Sequence, residues 1–269
     1  NFKNIPIIIA PRGEFSQGAL SIKSVKKYIY IKFFKILKIC NKVLWHASSE
    51  FEKDDIIKSK FGKDNNVFIA QNLTNSTVEK SYFKNQIKNT NCLEIVFIAR
   101  ISRVKNLDFL LKVLKKTKSK ICLDIYGPKE DVSYYEHCLD LMNELPLNVK
   151  IKFKGTLPSE KVKNTFKKYD LFVFPTKGEN FGHVIIESLS TGTCVLISDK
   201  TPWEESESIK VLKLCNEDFW VFEIEKWAKF SNKDLVKKRK AAIVYSEKFL
   251  NNPKSYNQNL ELFNSVLNK

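Results

Sequence analysis

The chain has 269 residues, 43% of them apolar and 12% aromatic, which is enough to bury two packed cores and too many for a disordered chain. Lysine and arginine outnumber aspartate and glutamate by 46 to 30, for a net charge of +16, so nucleic acid, nucleotides and acidic lipid all qualify as partners, and AT-rich coding gives the same excess. No stretch approaches the roughly 20 uninterrupted apolar residues of a membrane-spanning helix and no signal peptide opens the chain, so a cytoplasmic protein is expected.

In chain order, Ile5 to Ala10 is a continuous apolar run, the pattern of a buried parallel strand, and Pro11-Arg12-Gly13 breaks it into a loop. From about Ser21 to Asn41, Ile22, Val25, Ile29, Phe33, Ile36 or Leu37, and Cys40 recur at helical spacing. This segment also carries Lys23, Lys26, Lys27, Lys32, Lys35, Lys38 and Lys42 among Tyr28, Tyr30, Phe33 and Phe34. It reads either as a basic helix for an anionic membrane surface or as an α/β helix with a solvated lysine face. Val43 to Ala47 is a short strand, Ser49 and Glu52 suggest a capping box for a helix to Phe61, and Val67 to Ala70 is a third strand.

Residues 76–91 are polar and aperiodic and read as a linker, which makes 1–75 part of a first domain. A second domain over 92–250 restarts with strand Leu93–Ala99, helix Asn106–Thr117, strand Ile121–Tyr126, and a helix over 133–144. It continues with strand Val149–Phe153, helix Ser159–Lys168, strand Leu171–Phe174, helix Gly182–Ser190 and strand Cys194–Ser198. Such alternation implies a doubly wound parallel sheet with ligand loops at the carboxyl ends of the strands. Residues 251–269 hold a last helix, Lys254–Leu267, expected to pack back across the first domain.

Six cysteines (Cys40, Cys92, Cys122, Cys138, Cys194, Cys215) lie scattered without CxxC spacing and read as buried thiols, and His46, His137 and His183 lack zinc-site spacing. No metal site is expected.

Two loops carry the chemistry. Arg100 and Lys105 sit five residues apart between a strand end and a helix start, a natural clamp for a diphosphate, although an exposed basic loop has the same appearance. Pro175 to Glu187 runs from a strand end through Lys177-Gly178-Glu179-Asn180-Phe181-Gly182 into a helix, with Glu179 and Glu187 eight residues apart. Paired carboxylates accept hydrogen bonds from sugar or ribose hydroxyls, and glycines let backbone N–H groups approach phosphate oxygens. His183 is read as a donor contact or a packed helix residue, and Trp203 as a cleft or a core residue.

The Glu179-to-Glu187 segment resembles the E-x7-E signature of retaining glycosyltransferases of family 4, and Arg100 with Lys105 resembles that family's Arg-x4-Lys pair. Tyr126-Gly127-Pro128, Lys154-Gly155 and Asp170 fall in the expected order. Ile5 to Gly13 and Ala47-Ser48-Ser49-Glu50 resemble first-domain segments more weakly. The chain departs from the family at Arg12, where relatives commonly have histidine, and at Asn106, where glycine is common; Asn106 tolerates a left-handed or capping conformation.

The resemblance implies a GT-B fold, two Rossmann-like α/β domains, with the first incomplete here and residues 1–269 alone inactive. It implies transfer of a sugar from a nucleotide sugar, a UDP-sugar, to a saccharide or lipid-diphosphate-linked acceptor. The implied reaction retains configuration, needs no metal or cofactor, and serves surface polysaccharide (O-antigen or capsule) assembly at the inner face of the membrane. Arg100, Lys105 and Glu179 are the implied catalytic residues. Asn180, Phe181, Gly182, Glu187, Gly127, Gly155, Arg12 and Gly13 are the implied donor-binding residues. A sugar-nucleotide epimerase shares this architecture. A nucleic-acid-binding protein would match the charge but lacks aromatics interleaved with basic residues on a sheet, so no nucleic acid is expected.

Overall fold

A computed structural model describes residues 6–16, 20, 29, 31–33, 36, 43–74 and 92–267. The basic segment expected over 21–41 and the linker over 76–91 lie almost wholly outside the described residues, as does Cys40. The chain divides into two compact units, one containing the residues up to Thr74 with Gly178–Phe181 and Asn252 onward, the other containing Asn75–Lys177 and Gly182–Asn251.

The first unit holds a parallel sheet of β1 (Ile7–Ile9), β2 (Val43–Ala47) and β3 (Val67–Ile69) in that order, with Ile8 opposite Leu44 and Trp45 opposite Val67. Every residue of β2 is buried because both of its faces are covered. Val43, Trp45 and Ala47 pack with Val67 and with Ile56 of α1 (Glu50–Lys58), while Leu44 and Ala70 meet Leu262 and Val266 of the last helix, α8 (Lys254–Leu267). The polar member of this strand, His46, satisfies its ring by donating from Nε2 to the Ala70 carbonyl at 2.7 Å.

Ser49 caps α1, accepting from the Glu52 N–H at 3.3 Å. The expected capping box is only half formed, because the Glu52 carboxylate turns away to other donors described below. The helix stops at Lys58, and Lys60 follows at a left-handed φ of 60°.

The second unit is a six-stranded parallel sheet in the order β6-β5-β4-β7-β8-β9. Its elements are β4 (Leu93–Ile98), α2 (Leu107–Lys115), β5 (Ile121–Tyr126), α3 (Val132–Asn143), β6 (Val149–Gly155), α4 (Ser159–Phe166), β7 (Leu171–Phe174), α5 (His183–Ser190), β8 (Cys194–Ser198), β9 (Ile209–Leu212), α6 (Glu217–Ala228) and α7 (Asn232–Leu250). Strands β7 and β8 are apolar runs and β4 is one apart from Glu94; Ile95, Val96, Phe97, Leu171, Phe172, Val173, Phe174, Leu196 and Ile197 are shut off from solvent. The strand order reverses between β4 and β7, the position at which doubly wound sheets open a ligand crevice at their carboxyl ends.

Strand β9 and helices α6 and α7 are absent from the sequence reading, although their signals are present. Trp220, Ile224 and Trp227 form a buried stripe along α6 at helical spacing. Ser231 and Asp234 form the reciprocal capping box of α7.

Two glycines at strand ends differ in what they require. At Gly127 (φ 147°) a Cβ would lie 1.8 Å from the Ala99 carbonyl oxygen, so the backbones of the β4 and β5 exits touch there. At Gly155 (φ 76°) a Cβ would meet nothing within 4 Å. Gly127→Ala should therefore cost about 2 to 3 kcal/mol or more of unfolding free energy through overpacking and strain. Gly155→Ala should cost about 1 kcal/mol, the left-handed penalty alone. Denaturant unfolding of the two variants measures the difference.

Candidate functional site

In the second unit the loops after β4 and β7 are fastened to each other at the switch point. Asn106 adopts a left-handed conformation (φ 62°, ψ 39°) immediately before α2, and its Nδ2 donates to the Pro175 carbonyl at 2.9 Å. The Lys177 N–H donates to the Val104 carbonyl at 2.7 Å, the Thr176 hydroxyl reaches the same oxygen at 3.2 Å, and the Ser198 hydroxyl at the end of β8 bonds to the Thr176 carbonyl. Asparagine at position 106 thus holds the left-handed turn and adds a buried tie that a glycine would lack.

The same region is fastened to the β5 exit. Ile101 N–H donates to Pro128 O at 2.9 Å, Asp131 N–H to Ile101 O at 3.2 Å, and Gly127 N–H to Gly155 O at 2.9 Å. Arg103 bonds Asp131 at 3.2 Å, and hydrogen bonds from Tyr134 N–H, Ser133 and Arg103 hold the Asp131 carboxyl below its usual range.

Both cations of the Arg-x4-Lys pair occupy this fastened loop. The Arg100 guanidinium pairs with Glu130 at 2.5 Å, both side chains being largely exposed. A pair so exposed contributes at most about 1 kcal/mol and yields to a stronger anion. The Lys105 ammonium stands 5.4 Å from the centre of the Phe174 ring, a cation–π contact at the end of β7.

Gly182 (φ 76°) precedes α5, and a Cβ there would fall 2.9 Å from Ile185 Cδ1. Glu187 lies in the second turn of α5, and among the described residues its carboxylate accepts no hydrogen bond. Trp203 is a core residue, packed against Phe249 with the rings tilted by 32° and their centroids 4.8 Å apart. His183 is exposed at the first position of α5, which sets aside the packed reading.

The remaining candidates fall in the first unit. Arg12 (φ 54°) and Gly13 (φ 93°) form a turn closed by Glu14 N–H to Pro11 O at 3.2 Å, with Arg12 Nη1 bonded to Asn72 Oδ1 at 2.6 Å. The Gly13 N–H already donates to Glu52 at 2.9 Å, so Gly13 shapes the turn. Asn180 Nδ2 donates to the same Glu52 oxygen at 2.9 Å. Phe181 is buried and Glu179 half-buried. Glu52, absent from the sequence reading of the site, is buried and organises this cluster; its only sequence signal was the helix-start spacing with Ser49.

Two further groups lie apart from these loops. Asp170 sits at the amino end of β7, bonding Glu94 N–H at 3.0 Å and facing Arg239 at 3.7 Å, so it latches strands away from the ligand loops. Cys92, Glu94 and Cys122 bring their ligand atoms within 4.8 Å of one another, the one group among the described residues able to hold a metal ion. Strand pairing unites residues 28 positions apart that sequence spacing does not connect.

Residues 78–209 match the family profile described as glycosyl transferases group 1. An uncharacterized glycosyltransferase, MJ1607, of Methanocaldococcus jannaschii is 30% identical over 108 residues, covering 39% of this chain and 26% of that protein. The aligned part thus spans about a quarter of the curated relative. Among solved structures, Anabaena HepE in complex with UDP and glucose matches with a TM-score of 0.77 at 13% identity, covering 98% of this chain and 72% of its own. The lipopolysaccharide outer core galactosyltransferase WaaB matches at 0.65 and 16% identity, covering 83% and 62%. The parallel α/β units and these likenesses define the fold as that of the GT-B glycosyltransferases.

Burial holds the Glu187 carboxyl above the usual range, with nearby Lys163 opposing the shift. A raised carboxyl pKa means that the folded state prefers the protonated form. Glu187 thus favours folding in acid and opposes it as the pH rises through its raised value. Glu187→Gln should raise the thermal midpoint at neutral pH and leave it nearly unchanged in acid, as a melting series across pH will show. A lower midpoint at neutral pH would mean that the ionised carboxylate is held by favourable contacts.

Proposed function

We propose that the intact protein transfers a sugar from a nucleotide-sugar donor, a UDP-sugar, to a saccharide or lipid-diphosphate-linked acceptor. The transfer retains anomeric configuration, needs no metal, and serves surface polysaccharide assembly on the cytoplasmic side of a bacterial membrane. The observation that carries this reading is the fastening of the Arg100–Lys105 loop to the Pro175–Lys177 loop through Asn106 and Val104, at the switch point of the second sheet. HepE, solved with UDP and glucose, offers the analogy for the donor.

In this reading Arg100 and Lys105 offset the charge that grows on the departing diphosphate. A donor phosphate replaces Glu130 at the Arg100 guanidinium, and that exchange is cheap because the pair is exposed. Glu187 accepts from the ribose hydroxyls, for which its unfilled lone pairs are suited. The family resemblance puts the base near Gly127 and Gly155, of which Gly155 has open space beside it, and gives the Gly182 N–H a donor oxygen. The family resemblance gives Glu179 a hydroxyl of the transferred sugar, and gives Asn180 and Phe181 backbone contacts to donor oxygens. The reading carries the domain division 1–75, 76–91, 92–250 and 251–269.

A panel of nucleotide sugars read by thermal shift, followed by product analysis, tests the assignment. Release of free epimerised sugar nucleotide without acceptor would replace transfer by epimerisation. Salt-dependent RNA binding with no response to nucleoside diphosphates would replace it by nucleic-acid binding.

Two substitutions separate binding from chemistry. Glu187→Ala should weaken UDP binding by about 1 to 3 kcal/mol in calorimetry through lost hydrogen bonds. Lys105→Ala should lower turnover about a hundredfold at saturating donor, with a smaller rise in donor Kd, because the cation binds the transition state better than the ground state. Intact turnover with weakened binding would make Lys105 a uniform binder.

A further inference from the structure

Strand alternation puts three metal-ligand side chains on one face of the second unit's sheet. Leu93, Ile95, Ile121 and Leu123 are 1% exposed or less, so the residues between them face the other way. Cys92, just before β4, and Glu94 within it therefore share a face, and Cys122 of β5 is the register partner of Glu94. All three are half-buried, and their two Sγ atoms and a carboxylate oxygen lie within 4.8 Å of one another. Cys92 Sγ donates to Glu94 Oε1 at 3.3 Å, and neither sulfur is in a disulfide.

The backbone beneath these groups is fixed from both sides. The Asp170 carboxylate accepts from Glu94 N–H at 3.0 Å, Asp170 N–H donates to the Glu94 carbonyl at 2.8 Å, and Leu93 N–H donates to the Lys120 carbonyl at 2.9 Å. The ligand atoms thus need only side-chain rotation to meet an ion. Around a tetrahedral zinc, with Zn–S about 2.3 Å and Zn–O about 2.1 Å, neighbouring ligand atoms stand about 3.6 to 3.8 Å apart. Closing from at most 4.8 Å to that spacing moves no pair by more than about 1.2 Å.

We infer that Cys92, Glu94 and Cys122 form a zinc site, with water in the fourth position, that joins β4 to β5 at the start of the second unit. The donor set selects the ion. Magnesium and calcium take oxygen ligands, and copper(I) is satisfied by thiolates without a carboxylate, whereas two thiolates with one carboxylate suit a divalent ion of borderline softness. On binding, each thiol loses its proton to solvent, and the ion offsets the charge of two thiolates and a carboxylate. Half-burial leaves the ion a path from solvent. The site lies at the amino ends of the strands, whereas the Arg100 and Pro175 loops leave their carboxyl ends. It therefore takes no part in the transfer chemistry and does not rest on the glycosyltransferase reading. Its role is to fasten the two strands.

The test is a metal titration of the reduced, chelator-stripped chain, with cobalt(II) as the spectroscopic probe and zinc as its competitor. One cobalt per chain should bind with a thiolate charge-transfer band and the visible bands of tetrahedral geometry, and zinc should displace it. Cys92→Ser and Cys122→Ser should each diminish the charge-transfer band, and Glu94→Gln should keep it. Each of the three should weaken zinc binding by at least about ten- to a hundredfold, the scale on which even a supporting group around a metal matters. Cys215→Ser, which removes an exposed thiol, should change neither band nor affinity. Zinc at about a hundred times its Kd should raise the melting midpoint by about 5 to 10 °C. Should a variant fail to fold, zinc should still shield Cys92 and Cys122 of the unaltered chain from alkylation, read by peptide mass spectrometry, while Cys215 reacts.

No uptake of cobalt or zinc by the reduced chain would overturn the inference, as would binding that survives Cys92→Ser and Cys122→Ser or is lost in Cys215→Ser. Unchanged zinc affinity in Glu94→Gln would overturn the three-ligand site. A Cys92–Cys122 disulfide formed in air, with no metal uptake after reduction, would replace it by a redox-active thiol pair.

Discussion

The hydrogen bond from the Asn106 side chain to the Pro175 carbonyl, with the backbone bond from Lys177 to Val104 beside it, is the constraint on which the loop geometry of the second unit depends. Parallel strands β4 and β7 are neighbours in the sheet, but the loops leaving them diverge toward different helices. Without a tie, each loop would sample its own conformations, and the cations of one would have no fixed distance to the helix start of the other. A buried amide that fills a carbonyl acceptor costs little desolvation and sets that distance. The bond also accounts for the left-handed conformation of Asn106, since that backbone geometry aims the side chain at β7.

A similar division of labour appears in the first unit, where a strained exposed turn is held by a buried acceptor. Arg12 occupies a backbone region that costs a non-glycine residue free energy, and such strain persists only where surrounding contacts over-determine it. Glu52 supplies those contacts from a helix start packed on Trp45 and Ile56. Placing the rigid group in the core and the chemical group at the surface lets a guanidinium stay solvent-accessible yet ordered. Glu187 shows the opposite case, a half-buried carboxylate held above its usual pKa by desolvation, which lowers stability once it ionises.

Much of the second unit was legible from residues 93 to 198. Leu171–Phe174 and Cys194–Ser198 form strands at the bounds their apolar runs predict, because a strand buried on both faces can be written in few other ways; Ile121–Tyr126 also keeps its bounds, with burial that alternates along it. Helix α2 begins one residue later than its pattern suggests, at Leu107, because Asn106 is recruited into the left-handed tie. Strand β9 and helix α6 escaped notice: Ile-Lys-Val-Leu is too short to show a period, and the α6 stripe is masked by Phe219 and Phe222, which are exposed.

By itself the sequence determined the alternation of apolar strands and amphipathic helices, and hence the parallel α/β class, together with the chemical types at the two loops: Arg100 and Lys105 after one strand, Glu179 and Glu187 after another. Those follow from local periodicity and from residue chemistry at fixed spacing, which need no knowledge of distant neighbours. Only the tertiary structure decided that Arg100 rests on Glu130, that Asp170 latches strands rather than serving the ligand loops, that Trp203 is core, and that Glu52 gathers Gly13, Ser48 and Asn180. Each of these is a contact between residues far apart in sequence, or depends on which face of an element is covered. Strand order and loop closure settle such contacts, and no local pattern encodes either.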